Sequence, residues 1–260
     1  MLLQNKNALV FAAGGAVGAA VARRFAQEGA RVFLSGRSAG SLEPLALELG
    51  APWDIVDATK EAEVAGYVER VAAQAGRVDV VFNAIGPRPA HAKYASPSTI
   101  LPLDSFLTPT QTIAGAQFLT ARCAARYMIR QRSGAIVMLS ASLTGHFIPF
   151  MAGLTAACGA VEGLSRSMAA ELGPHGIRVN CVRAGAMPET RTIRETTAAM
   201  GKTLAAHGDE SAASAGMNGV LRRPLQLHET AATVTFVASD AASGIAGQIV
   251  NVCAGTIVSR

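Results

Sequence analysis

The chain has little with which to grip a nucleic acid, a membrane or a metal. Aromatic residues make up only 5% of its 260 residues, which removes the stacking platforms that single-stranded nucleic acids need. Its 23 lysines and arginines give a net charge of +5 but form no basic run, so the mild basicity suits an ordinary surface or an anionic small ligand. Cysteine is sparse: Cys123, Cys158, Cys181 and Cys253 are far apart and each lies in an apolar segment. No spacing matches a zinc site or a Cys-x-x-Cys redox pair, so no metal is expected and the thiols read as buried and free in a reducing compartment. The N-terminus shows no charged region followed by an apolar one. The apolar stretch from Ala8 to Ala22 is short and broken by glycines, so a cytoplasmic protein without a membrane span is expected.

Half of the residues are hydrophobic and the composition does not change along the chain, which suits one large domain over residues 1–260. Near the start, an apolar run from Ala8 to Ala13 predicts a buried strand. Gly14, Gly15 and Gly18 allow a sharp turn, and Ala19 to Glu28 continues at helical spacing. Strand, glycine-rich turn and helix N-terminus make a phosphate cradle, because free N–H groups and the positive end of the helix dipole face the anion. As Gly-x-Gly-x-x-Gly the stretch is Ala13-x-Gly15-x-x-Gly18, one glycine short, and a purely structural β–α turn has the same appearance.

Strand and helix then alternate. Arg31–Ser35, Pro52–Val56, Val78–Phe82, Ala135–Ser140, Arg178–Arg183 and Gln248–Val252 read as strands. Ser41–Leu49, Glu61–Gln74, Thr112–Gln131, Phe150–Leu172 and Glu229–Ser239 read as helices, with Gly50 and Gly76 closing two of them. The expected fold is an α/β, Rossmann-type, doubly wound parallel sheet of about seven strands, with helices on both faces and ligands at the C-terminal rim. Two stretches break the rhythm. Pro87–Gln111 carries Pro87, Pro89, Pro97, Pro102 and Pro109 and reads as a long irregular segment bordering a substrate pocket. Ala186–Leu227 is polar and uneven and reads as a substrate lid.

Several markers in this order resemble the short-chain dehydrogenase/reductase family. Phe11-Ala-Ala-Gly-Gly-Ala-Val-Gly18 is similar to its Thr-Gly-x-x-x-Gly-x-Gly turn, Asp57-Ala-Thr59 to its Asp-Val-Thr, and Asn83-Ala-Ile-Gly86 to its Asn-Asn-Ala-Gly. Ser142-Leu-Thr-Gly145 stands where the family has its catalytic Ser-x-x-Gly. Val161–Leu172, Gly176-Ile-Arg-Val-Asn180, Phe236–Asp240 and Gly247-Gln248 resemble the family's later helices and strands. The resemblance implies an oxidoreductase acting on a small molecule with a bound dinucleotide. Ala13, Gly14, Gly15, Val17 and Gly18 would cradle it, with Asp57, Ala58, Asn83, Ala84 and Gly86 farther along the rim. It also implies a homodimer or homotetramer. After the second strand Gly36 takes the position of the acid that would hold the ribose 2′-hydroxyl of NAD. Arg37 beside it suits the 2′-phosphate of NADP, so NADP(H) is expected ahead of NAD(H).

The family's Tyr-x-x-x-Lys pair, which shares one helix face, has no counterpart in register. Leu154 and Cys158 stand there, or Thr155 and Gly159 one residue on. No lysine occurs between Lys93 and Lys202, and the three tyrosines are Tyr67, Tyr94 and Tyr127. Thr112 replaces the asparagine of Asn-x-x-Gly. Of the four catalytic groups Ser142 alone remains. Candidate replacements are Tyr94, with Lys93 and His91, on the proline-rich segment, and His146 after the Ser142 loop. Adjacent residues of an extended segment point to opposite sides, which counts against Tyr94 with Lys93. Cys158 on an apolar helix face reads as packing. Three outcomes fit: hydride transfer to or from an activated carbonyl or conjugated small molecule through an atypical site, with water, the substrate's own hydroxyl or another residue supplying the proton; a non-redox reaction such as elimination, isomerisation or cyclisation, with the cofactor structural or absent; or a non-catalytic subunit kept for assembly.

Overall fold

The computed structural model describes residues 1–86, 95–146, 148–206 and 219–257, without the side chains of 204–206. In chain order the elements are β1 (Asn7–Phe11), α1 (Ala16–Gln27), β2 (Arg31–Gly36), α2 (Ala39–Leu49), β3 (Trp53–Ile55), α3 (Glu61–Ala75) and β4 (Val80–Asn83). They continue as α4 (Leu103–Pro109), α5 (Gly115–Gln131), β5 (Gly134–Ala141), α6 (Ala152–Leu172), β6 (Ile177–Ala184), α7 (Arg191–Ala206), α8 (Leu227–Ala238) and β7 (Ile249–Val252). The seven strands form one sheet in the order β3-β2-β1-β4-β5-β6-β7, and every pairing is parallel. The order reverses between β1 and β4, where a doubly wound sheet opens its ligand crevice.

Alternation along the strands builds two cores. Leu9, Phe11, Phe33, Val81, Ile136, Met138, Val179 and Cys181 face α3, α5 and α6. The residues between them, Ala8, Val10, Val32, Leu34, Val80, Phe82, Val137 and Val182, face α1, α2 and α8. Such two-faced burial is why these strands read as unbroken apolar runs. The Phe11 and Tyr67 rings meet edge to face at 5.4 Å and lock β1 onto α3.

Helix ends follow local chemistry. Gly50 and Gly76 adopt left-handed conformations, with φ of 59° and 76°, and close α2 and α3 as expected.

The left-handed residue of the first turn is Ala12, with φ 56°, at the position of the family's first glycine. One expectation needs correction. The stretch 87–111 is not irregular throughout. Residues 87–94 lie outside the described residues, but Leu103–Pro109 is helical and runs through a π-helical turn, Thr110–Ala114, into α5. Pro102 caps α4, where its missing N–H costs nothing. Pro109 lacks the N–H that an α-helical turn requires, and the wider turn begins directly after it. The density of prolines suggested a loop because each was read without its position in a turn. The expected lid at 186–227 includes a helix, α7, and residues 207–218 lie outside the described residues.

Candidate active site

At the end of β1 the chain turns so that α1 begins at Ala16 with its first N–H groups free of intrahelical acceptors. No side chain caps this terminus. The turn is tight. A Cβ on Gly18 would lie 2.4 Å from the Ala12 carbonyl oxygen and 2.9 Å from the Ala13 Cα. A Cβ on Gly14 would meet the Ser41 hydroxyl at 2.3 Å, so α2 closes the cradle from the side. Ala13 donates its N–H to the Ser35 carbonyl, which ties the turn to β2. Val17 and Gly18 lie in the first helical turn, so the free amides of the cradle come from a single short segment.

Arg37, directly after β2, is exposed. Beyond β3, Asp57 folds onto itself: the Thr59 hydroxyl and N–H donate to its Oδ1 at 2.7 and 3.1 Å. Its own N–H donates to Glu63 Oε2. Burial alone would raise the Asp57 carboxyl. The Thr59 bonds, with the charges of Arg37 and Lys60, more than offset it, so Asp57 stays below the usual carboxylate range. Ala58 is buried beside it. At the end of β4, Asn83 is 2% exposed and both polar atoms of its side chain are hydrogen-bonded. It donates to the Thr120 hydroxyl on α5 and accepts from the Ile85 N–H. Ala84 and Gly86 follow with their backbone at the rim.

The β1, β2, β3 and β4 ends are neighbours in the sheet, so the expected cofactor-binding residues come to one edge. Next along that edge β5 outruns β4, with which it pairs only as far as Val137. Beyond it the Gln117 side chain from α5 takes over, bonding both the N–H and the carbonyl of Leu139. Ser142 opens the short 3-10 turn after β5. It is buried, and its hydroxyl makes no hydrogen bond among the described residues. His146 follows the turn with a buried Nε2 that has no partner among the described residues, and burial holds its pKa below the usual histidine value.

The α6 face near this turn presents Leu154, half-buried among Ile148 and Met151, and Cys158, which is buried. Burial pushes the Cys158 thiol up to about 11, so it is neither a thiolate nor a ready acid at neutral pH. One turn farther on the same face is a residue that the family markers did not single out: Glu162, 5% exposed and ion-paired with Arg183 of β6. A charge inside an otherwise apolar helix stretch was the available signal, since buried carboxylates need a partner.

Several segments meet above the Ser142 turn. The Ser96 N–H donates to the Phe150 carbonyl, and the Thr203 hydroxyl of α7 donates to the Ala95 carbonyl at 2.8 Å. Val220 and Leu221 donate to the Gly255 and Ala254 carbonyls, and the Ile257 side chain lies against Gly145. At the β7 end, burial would raise the Cys253 thiol. Donors of Ile257, Thr256 and Gly255 hold it below its usual value. Tyr94, Lys93 and His91 lie outside the described residues. Among the described residues no cluster of histidine, cysteine or acidic groups is placed to hold a metal ion, and no helix is long and apolar enough to cross a membrane.

Known proteins share this plan. The family profile described as enoyl-(acyl carrier protein) reductase matches residues 12–256. An uncharacterized oxidoreductase of Bacillus subtilis, YxjF, is 31% identical over 95% of this chain and 96% of its own length. Momilactone A synthase of Oryza sativa subsp. japonica is 33% identical over 98% of this chain and 91% of its own. Among solved structures, NAD+-bound xylitol dehydrogenase superposes with a TM-score of 0.88 at 27% identity, covering 98% of this chain and all of the other. Levodione reductase superposes with a TM-score of 0.84 at 27% identity, covering 97% of each. With its sheet order, its glycine-rich first turn and a family match over nearly its whole length, this chain belongs to the short-chain dehydrogenase/reductase family of oxidoreductases.

Proposed function

We propose that the protein binds NADP(H) and transfers hydride to or from an activated carbonyl or conjugated small molecule through an atypical active site. The observation that carries this reading is the shared rim: a cradle that a Cβ would fill at Gly14 or Gly18, with Arg37 on one side and the Ser142 hydroxyl, unbonded among the described residues, on the other. The cradle's residues fit a dinucleotide. The free amides of α1 would hold the pyrophosphate, and Arg37 would fork onto the 2′-phosphate. Asp57 with Ala58 would border the adenine, and the backbone of Ala84 and Gly86 would line the next part. Bound there, the nicotinamide supplies or accepts the hydride.

The chain's own groups then orient and polarise. Ser142 donates a hydrogen bond to the substrate oxygen. Leu154 has no proton to give, and the Cys158 thiol holds its proton too tightly to be an efficient donor. His146 is neutral at pH 7, so it is a better acceptor than donor. Losing a general acid costs about 10²–10⁴-fold in rate, which favours substrates whose carbonyl or conjugated system is already activated. In this reading the final proton comes from water or from the substrate's own hydroxyl.

The same reading makes the protein a cytoplasmic homodimer or homotetramer. The exposed Phe118 on α5, with the Arg122 guanidinium 5.1 Å from its ring centroid, supports α5 as a contact face. Titration with NADPH and NADP⁺, followed by fluorescence and melting temperature, tests the cofactor, and no shift at millimolar cofactor overturns it. A panel of activated ketones, quinones and enones then tests turnover. Ser142→Ala is expected to lower kcat, and unchanged turnover removes Ser142 from the mechanism.

A further inference from the structure

The Ser142 hydroxyl makes no hydrogen bond among the described residues, yet the residues two before and two after it are held by one atom. The Ser140 hydroxyl donates to Glu162 Oε1 at 2.9 Å, and the Thr144 hydroxyl donates to the same oxygen at 2.8 Å. Glu162 is itself locked. Arg183 Nε donates to Oε1 at 2.8 Å and Nη2 donates to Oε2 at 2.5 Å, a two-point contact that fixes the carboxylate plane. The third arm of the guanidinium, Nη1, donates to Asn251 Oδ1 on β7 at 3.2 Å. A single run of polar contacts therefore joins β7, β6, α6 and both flanks of Ser142.

The topology explains why these residues meet. Ser140, Arg183 and Asn251 are register partners across β5, β6 and β7. Ser140 and Arg183 continue the alternation of Met138 and Cys181, which face α6. Leu154, Cys158 and Glu162 are spaced by four along α6, so one helix face carries all three. Glu162 and Arg183 have side-chain exposures of only 7% and 16%. A buried ion pair contributes little net stability compared with apolar packing of the same volume, so stability alone does not account for this arrangement.

We propose that Glu162, clamped by Arg183, is a positioning residue that sets the Ser142 turn against the bound substrate. This rests on the reading that Ser142 acts on substrate. Glu162 does not donate the proton, because both of its oxygens are occupied by donors. It holds Ser140 and Thr144, and through them the hydroxyl of Ser142.

The test uses the full-length protein with Thr144→Val, Thr144→Ser and Glu162→Gln, each also combined with Ser142→Ala. Removing a hydrogen bond to a charged group is expected to lower kcat about tenfold in Thr144→Val on an aromatic 1,2-diketone with NADPH, with KM within about twofold. Thr144→Ser restores the rate because it restores the hydroxyl. Beside Ser142→Ala, Thr144→Val adds little further loss, because both act through one group. Amide hydrogen exchange across 141–146 quickens about tenfold in Thr144→Val and Glu162→Gln, while exchange in β1 and β2 is unchanged. Additive kinetic losses, failure of Thr144→Ser to restore the rate, or unchanged exchange in 141–146 each overturn the proposal. If the wild-type protein turns over none of the panel, the hydride-transfer reading fails separately. Exchange then decides whether Glu162 holds the turn.

Discussion

The turn after β1 and the turn after β5 lie on the same rim, but they are held by different parts of the chain. The first is made of backbone. Its shape depends on Gly14 and Gly18 having no Cβ, on the Ala12 carbonyl, and on helix amides that any sequence with the right conformation would expose. The second is made of side chains. Ser140, Thr144, Glu162, Arg183 and Asn251 each contribute a specific polar atom, and replacing Glu162 removes the acceptor that Ser140, Thr144 and Arg183 share. A backbone site tolerates drift as long as φ and ψ remain accessible, which is how Ala12 replaces a glycine. A side-chain site changes its chemistry when residue types change.

The largest effect should separate the two turns cleanly. Glu162→Ala leaves Arg183 buried without its partner and is expected to cost about 3–5 kcal/mol in urea denaturation. Adding Arg183→Met should recover much of that loss, and no recovery would mean that the pair does not act as a unit. Acidity offers a second handle. Burial raises the Glu162 carboxyl, but the Arg183, Thr144 and Ser140 bonds outweigh it and the folded pKa is lowered. Its contribution is therefore complete above the unfolded value of 4.5 and is lost as pH falls through the folded pKa. The stability gap between wild type and Glu162→Ala should narrow only below that range.

Gly18→Val tests the backbone turn. Its side chain would overlap the Ala12 carbonyl, costing about 1–3 kcal/mol and abolishing the NADPH-induced rise in melting temperature. Arg37→Glu should leave the fold intact and weaken NADPH binding about tenfold to hundredfold, the worth of a charge-assisted bond. NADH binding should change much less, and equal loss for both would refute the 2′-phosphate assignment. The smallest effect is a gain. Ala12→Gly relieves a left-handed alanine and should add about 0.5–1 kcal/mol, or about 2 °C in melting temperature.

Much of the fold was legible because strands buried on both faces are continuous apolar runs and the helices between them are amphipathic. Val78–Phe82 and Arg178–Arg183 were found within two residues of β4 and β6 for that reason. Gly50 and Gly76 marked helix ends because few other residues adopt a left-handed conformation without strain. Reading by residue type failed where position within a turn mattered. Pro102 and Pro109 have the residue type of loop formers, although one caps α4 and the other stands where the helix widens. Asn83, expected at the cofactor rim, also ties β4 to α5 through its side chain, a contact between residues 37 apart that the sequence does not show. Glu162 carries no mark of its role in the sequence because its partners Ser140, Thr144 and Arg183 are distant in sequence and on other elements.

The sequence by itself determined the alternation of strand and helix, the family, the glycine-rich turn, and the residue types that face each other at the site. Those properties are local: they depend on periodicity, on backbone freedom and on which side chains carry a proton or a charge. Only the tertiary structure decided that Ala12 takes the left-handed position and that Glu162 grips both flanks of Ser142 while Arg183 grips Glu162. These depend on the register of β5, β6 and β7 and on the packing of α6 across them, which bring hydrogen-bonding atoms of Ser140 and of Arg183 each within 3 Å of the Glu162 carboxylate.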